Sequence, residues 1–251
     1  MTARVAITVG SLAVALTAAC TSYYEIPIET PIRAKLDVGA FQRVLVAGFI
    51  SGGTDEVDGN LETTRLLRSQ LRTKSGLRVI DVDVLPLMEV AAEGRDSGQG
   101  AQSALPATIK DRKDLDAYEH VFANVEYWKK VGEEHQQPLI VTGTVLFESR
   151  SNTRSRQTEQ EVTDALGRRR TVATRSVTEQ KGFGLNTRFI FIDGRTGTLM
   201  SSQTFEEGVM YDANRQTPAL SSYFELMDRL IPSFLATLSS QKIKGTRILL
   251  N

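Results

Sequence analysis

Three observations predict that this 251-residue chain takes an α+β fold, a mixed sheet flanked by helices. Two near-continuous apolar runs, Arg43 to Ile50 and Leu139 to Phe147, read as strands buried on both faces. Amphipathic stretches of helical period separate them. Beyond Leu139, strand-like segments succeed one another without an intervening helix until about Ser221. A hydrophobic fraction of 41% and a charged fraction of 24% are near the averages of soluble globular domains, which excludes wholesale disorder and a polytopic membrane protein. Thirty basic and thirty acidic side chains cancel, so the chain carries no overall electrostatic footprint for nucleic acid.

The chain opens with Arg4, an apolar run from Val5 to Ala19, and Cys20. The run is shorter than the ~20 residues of a membrane-spanning helix. Leu16, Ala18 and Ala19 before the sole cysteine resemble a bacterial lipobox, with Thr17 at the place where leucine is commonest. The resemblance implies a signal peptide over 1–19, a lipid on Cys20 and a mature charge near −1 once Arg4 is removed. Thr21, in place of the aspartate that retains lipoproteins at the inner membrane, points to the outer membrane, facing the periplasm. An ordinary secretory signal cleaved beside a chance cysteine is the alternative.

Residues 20–40, with Pro27 and Pro31, read as an extended lipidated tether, and 41–251 as a single periplasmic domain. Within it, Arg43 to Ile50 is the first strand and Ser51 to Asn60 a loop. Leu61 to Lys74 is a helix closed by Gly76, and Leu77 to Leu85 is an alternating strand. Pro86 opens a short helix, and Gly94 to Ala107 is a Gly-, Ser- and Gln-rich loop. Asp111 to His135 is the longest helical pattern, with Leu115, Tyr118, Phe122, Val125, Trp128 and Val131 in one stripe. After the strand at Leu139, residues 148–185 read as a long polar β-hairpin turning at Asp164 to Gly167. Phe189 to Ile192, a tight turn at Asp193 to Gly197, and a return over Thr198 to Phe205 form a second hairpin. Ser221 or Ser222 caps a final helix, Pro232 kinks or restarts it, and Arg247 to Leu250 is an edge strand.

Most chemical motifs fail on spacing. Gly48, Gly52 and Gly53 do not make a dinucleotide fingerprint, and Gly-Lys-Ser/Thr is missing after them. With Gly59 as the sixth residue of a calcium loop, the twelfth is Arg65, where a glutamate is required. His120 and His135 are fifteen apart without ligand spacing, so no metal site is expected. No nucleophile elbow is present, no catalytic residue is assigned, no cofactor is expected, and the chain is not expected to be an enzyme. Trp128 and Tyr127 read as core and rim. The basic cluster Arg168, Arg169 and Arg170, with Arg154 and Arg156 on the facing arm, is the candidate partner-binding site. Its competing reading is a solvated hairpin tip balanced by Glu159, Glu161 and Asp164.

Three stretches carry a family resemblance. Arg43 to Phe49, Leu139 to Val145, and Phe189 to Gly197 with Met200 to Ser202 resemble TolB-N-terminal-like lipoproteins. The matching parts there are the opening strand, the strand after the long helix, and the V-D-x-x-T-G-x-x-x-x-S hairpin. That group includes the curli secretion-channel (CsgG-like) lipoproteins and the LpoB-like activators of penicillin-binding proteins. The resemblance covers about residues 40–240 and implies a TolB N-terminal-like sandwich used for assembly and not for catalysis. The expected function is therefore an outer-membrane lipoprotein acting as accessory or scaffold in an envelope export or assembly complex. The alternatives are a regulator of a cell-wall synthase and a CsgG-like channel subunit. The expected partners are the membrane, through the lipid on Cys20, and an envelope protein; homo-oligomerisation is left open.

Overall fold

The structure, a computed structural model, describes residues 23–32, 34–96, 105–106, 108–163, 165–212, 217–239 and 241–250. These divide into two units, one formed by β1 (Tyr23–Ile32) with β7 (Gln241–Leu250), the other by Lys35–Ser239. The division replaces the expected tether and single domain: residues 23–32 are a strand, paired antiparallel along its whole length with 241–250, from Tyr23↔Leu250 to Ile32↔Gln241. Prolines 27 and 31 are tolerated because each strand of a two-stranded ribbon is an edge.

The larger unit is α+β. A five-stranded mixed sheet has the order β3-β2-β4-β5-β6. Its strands are β2 (Arg43–Gly53), β3 (Arg78–Ile80), β4 (Leu139–Thr163), β5 (Arg169–Asp193) and β6 (Leu199–Asp212). β2 runs parallel to β3 and β4, and β4, β5 and β6 are antiparallel. The apolar runs are buried on both faces, as their lack of alternation predicts. Val44, Val46 and Phe49 join one core with Leu139, Val141, Val145 and Phe147, whereas Leu45, Ala47 and Ile50 join the other with Ile140 and Leu146. The first core is closed by α1 (Gly59–Lys74) and α6 (Ala219–Leu238), through Leu67, Leu71, Tyr223, Leu226, Leu230 and Phe234. The second is closed by α2 (Leu87–Asp96), α3 (Arg112–Asp116), α4 (Glu119–Ala123) and α5 (Val125–Glu134).

Polar ties fix these layers. The buried Tyr223 hydroxyl donates to the Gly59 carbonyl at 3.1 Å and meets Thr63 Oγ1, joining α6 to the start of α1. Asp58 caps α1 by accepting from the Leu61 amide at 3.0 Å. The Trp128 indole donates to the Val121 carbonyl at 2.8 Å from a fully buried ring, so Trp128 is core and Tyr127 its half-buried neighbour.

Several expected boundaries shift. The pattern over 111–135 is three short helices, because Asn124 leaves the helical region (ψ 86°) and caps α5 through the Tyr127 amide at 3.1 Å. The apolar stripe survives the break, except that Val125 is exposed. Ser75, not Gly76, ends α1: its amide and its hydroxyl both donate to the Leu71 carbonyl. The strand expected over 77–85 is paired only at 78–80, where it meets Arg43 to Leu45. Pro218 precedes the last helix, Ser222 lies inside it, and Pro232 sits within one unbroken element. The loop expected over 94–107 lies mostly outside the described residues, and α2 extends to Asp96.

At the β5–β6 turn, Asp193 receives Arg195 at both carboxylate oxygens, Nε to Oδ1 at 3.0 Å and Nη2 to Oδ2 at 2.7 Å. The Arg195 guanidinium also covers the Phe41 ring, 4.7 Å from its centre. The arginine hydrogen bonds hold the Asp193 carboxyl below its ordinary value, against an opposing effect of burial. A depressed folded-state value contributes stability above the unfolded pKa of ~3.9, and that contribution is lost as pH falls through the folded value. Arg195→Gln is thus expected to lower stability at pH 7, with the difference from wild type shrinking below about pH 4 in denaturant titrations. A second expectation concerns close backbone approach. A Cβ on Gly132 would lie 1.8 Å from the Gly194 carbonyl oxygen, whereas one on Gly76 would meet nothing within 4 Å. Gly132→Ala should lower the thermal midpoint sharply and Gly76→Ala leave it unchanged or slightly raised, by calorimetry on the two variants.

Candidate functional site

β4 and β5 pair without a register break from Leu139↔Asp193 to Thr163↔Arg169. The flanking strands stop earlier. β2 leaves β4 after Gly53↔Phe147, and β6 leaves β5 at Gln180↔Asp212. Beyond that row the hairpin continues alone for eleven rows, from Thr153↔Glu179 outward, or about 35 Å at the rise of an antiparallel strand. Every described side chain from Ser149 to Glu179 is exposed. The expected hairpin over 148–185 therefore forms, but its last residues, 180–185, are held in the sheet beside β6.

The base of the ribbon is braced by an arginine laid flat across neighbouring strands. Arg150 Nη2 reaches Glu206 Oε1 on β6 at 2.9 Å. It passes over Gly184, where an added Cβ would lie 2.2 Å from Arg150 Nε. Any larger residue at 184 would displace it. The ion pair is solvated, so its energetic contribution is small, and its effect is orientational.

Strand alternation sorts the candidate binding residues onto two unlike faces. Arg154 and Arg156 project on one side, opposite Thr178 and Ser176, and Arg170 joins them opposite Val162. Over the eleven rows beyond the sheet the other positions of that face are Thr158, Gln160, Val162, Val172, Thr174, Ser176 and Thr178, so there it is basic and free of carboxylates; Asp212 of β6 lies on the same face one position nearer the sheet, in the row of Asn152 and Gln180. Arg154 and Arg156 are about 7 Å apart along the strand and Arg170 about 20 Å further out. The reverse face carries Glu159, Glu161 and Glu179 with Arg169, Arg175 and Lys181, and is balanced. There Arg169 lies 4.0 Å from Glu161, and Arg175 Nε donates to Ser155 Oγ at 2.9 Å. Arg168 sits in the turn with interactions of its own. The structure thus gathers Arg154, Arg156 and Arg170 and separates Arg168 and Arg169 from them. The expected tip of mutually balanced charges describes only the reverse face. Arg150, Glu206 and Gly184 do not stand out in the sequence, because their relation needs the β4–β5–β6 register. Cys20 lies outside the described residues.

The loop after β2 borders two adjoining concavities of about 370 and 560 Å³. Asp55 lines both, Asp58 the first, and Lys110, Asp111 and Glu148 the second. They lie at the carboxyl end of β2, beside the middle of β4 where β2 leaves it. Among the described residues no three His, Cys, Asp or Glu side chains converge as metal ligands would. The half-buried His120 has Nδ1 3.0 Å from the Ala117 carbonyl and Nε2 3.1 Å from that of Ala91, so neither nitrogen is presented to solvent.

No protein family and no curated protein sequence matches the chain. Among solved structures, lipoprotein GNA1162 from Neisseria meningitidis is similar over 76% of this chain and 96% of its own, with 11% identity and a TM-score of 0.33. A protein named as a neuraminyllactose-binding hemagglutinin homolog from Helicobacter pylori is similar over 84% of this chain and 89% of its own, with 13% identity and a TM-score of 0.35. Likeness this distant establishes no family, and the TolB-N-terminal-like resemblance rests on the sequence stretches alone.

Exposed arginines on a two-stranded ribbon contribute little to the core. Arg154→Glu, Arg156→Glu and Arg170→Glu should each shift stability by no more than about 0.5 kcal/mol in urea titrations. The triple variant should lose any partner retained by the wild-type chain at low salt, in a pull-down compared across ionic strengths.

Proposed function

We propose that the chain is an outer-membrane lipoprotein, acylated on Cys20 and facing the periplasm, that serves as a non-catalytic accessory or scaffold in an envelope export or assembly complex. The β4–β5 ribbon is its partner-binding arm. The observation that carries this reading is the ribbon itself, eleven paired rows outside the sheet with exposed side chains. Such a ribbon adds almost nothing to the core, and an isolated two-stranded hairpin is marginal in water. Its two open edges offer backbone groups for another chain to pair with, and the arginines of one face favour an acidic partner over promiscuous contacts.

The same rows weigh against a lipid-facing barrel strand. A membrane barrel requires an apolar residue at alternate positions over about 9–11 residues. Neither ribbon face supplies that series, since over the eleven rows one carries three arginines and the other five charges. An arginine facing lipid at the bilayer midplane would cost about 2–4 kcal/mol. The reading as a channel subunit is therefore less well supported than the scaffold.

Replacing residues 150–178 by a short glycine-containing turn separates arm from core. The shortened chain is expected to keep its thermal midpoint within a few degrees and to reproduce in cells the phenotype of losing the whole protein. Unfolding of the shortened chain would place the segment in the core, and full activity in cells would make it dispensable. Cys20→Ser should release the protein from the outer-membrane fraction and abolish acyl labelling; normal fractionation and labelling of that variant would overturn the anchor.

A further inference from the structure

We infer that one face of the β1–β7 ribbon lies in the membrane interface, making a second contact with lipid beside the acylated Cys20; this rests on the lipid anchor proposed above. Alternation along the register puts Ile26 and Ile28 on one face, together with the positions of Tyr24, Ile32, Ile243 and Leu249. The opposite face carries four charged positions, Glu25, Glu29, Lys242 and Lys244, with Glu29 Oε1 3.9 Å from Lys244 Nζ, and one exposed isoleucine, Ile248, opposite Glu25. The ribbon is therefore amphipathic by position. Ile26 and Ile28 are 41% and 39% exposed, which is unfavourable in water for a two-stranded element with little core of its own.

Proximity decides what covers this face. Cys20 precedes Tyr23 by three residues, a reach of about 10 Å at most. Acyl chains on Cys20 hold the bilayer surface within that distance of the ribbon's first row, whereas a second copy must first diffuse to it along the membrane. The chemistry of the ribbon agrees. The position on that face nearest the anchor is Tyr24, of the residue type enriched at membrane interfaces. Arg247, opposite Ile26, is the one charged position on the apolar face, and its long side chain suits a lipid phosphate while its stem stays among apolar groups.

The test uses the acylated mature protein. Cys20 is the chain's sole cysteine and its sulfur is blocked by lipid, so a cysteine introduced at 25, 26, 28 or 29 is the one free thiol for an environment-sensitive label. Vesicles of phosphatidylethanolamine and phosphatidylglycerol with brominated acyl chains report contact by quenching. Quenching is expected to alternate, severalfold stronger at 26 and 28 than at 25 and 29. Equal quenching at all four positions, or none, overturns the inference. So does a blue shift at 26 and 28 that depends on protein concentration and not on bromolipid, which would assign the face to a second copy. Should labelling disturb the ribbon, unlabelled Ile26→Ser, Ile28→Ser in the Cys20→Ser mature chain is expected to cosediment with the same vesicles about tenfold less than Cys20→Ser alone, and no decrease overturns the inference. Mass spectrometry of the N-terminal peptide separates the two failures: acylated Cys20 without alternation refutes the ribbon contact alone, and an unmodified Cys20 refutes the anchor and the contact with it.

Discussion

The uninterrupted pairing of β4 with β5 is the constraint on which the larger unit depends. One register runs from Leu139↔Asp193, deep between two helical layers, to Thr163↔Arg169, far outside them. No bulge intervenes, so the side-chain alternation set in the core carries through to the tip. Positions that face α1 and α6 near the base become the balanced face of the ribbon, and positions that face α2–α5 become the arginine face. A one-residue slip in the sheet would exchange the two faces of the arm, so the core that buries Phe147, Phe189 and Phe191 also specifies which charges a partner meets.

That division assigns different tasks to different stretches of the same strands. Residues 139–147 supply apolar burial on both sides, and residues 149–163 supply none. At the junction, Arg150 lies across Gly184 to Glu206 and links the last three-stranded rows. The Asp193–Arg195 turn at the opposite end of β5 holds the start of β6 and covers Phe41. A rigid base and a solvated extension are what a projecting arm requires, because its direction is set by the sheet and its surface is free to be polar.

Much of this architecture is legible in the sequence, for physical reasons that differ by element. The runs at 43–50 and 139–147 are apolar at consecutive positions, a pattern that only two-sided burial explains. The polar arms and the turn at 164–167 announce a hairpin by composition. The three-helix break over 111–135 is hidden because Asn124 is an ordinary residue within a continuing apolar stripe, and its capping role depends on a backbone angle. β1 is hidden because its partner lies at the other end of the chain, and two prolines argue locally against a strand. The candidate site is legible as a cluster of arginines but not as a face. Arg168, Arg169 and Arg170 are adjacent in sequence and divide between turn, balanced face and basic face once the register is fixed.

The central claim is that the ribbon is an arm engaged through its arginine face. Photo-crosslinking amino acids placed singly along 152–160 in intact cells, with mass spectrometry of the products, test it most directly. The account predicts an alternating pattern, with crosslinks to one envelope protein from positions 152, 154, 156 and 158 and few from 153, 155, 157 and 159. Crosslinks of equal strength from both sets, or to no protein at all, would contradict it.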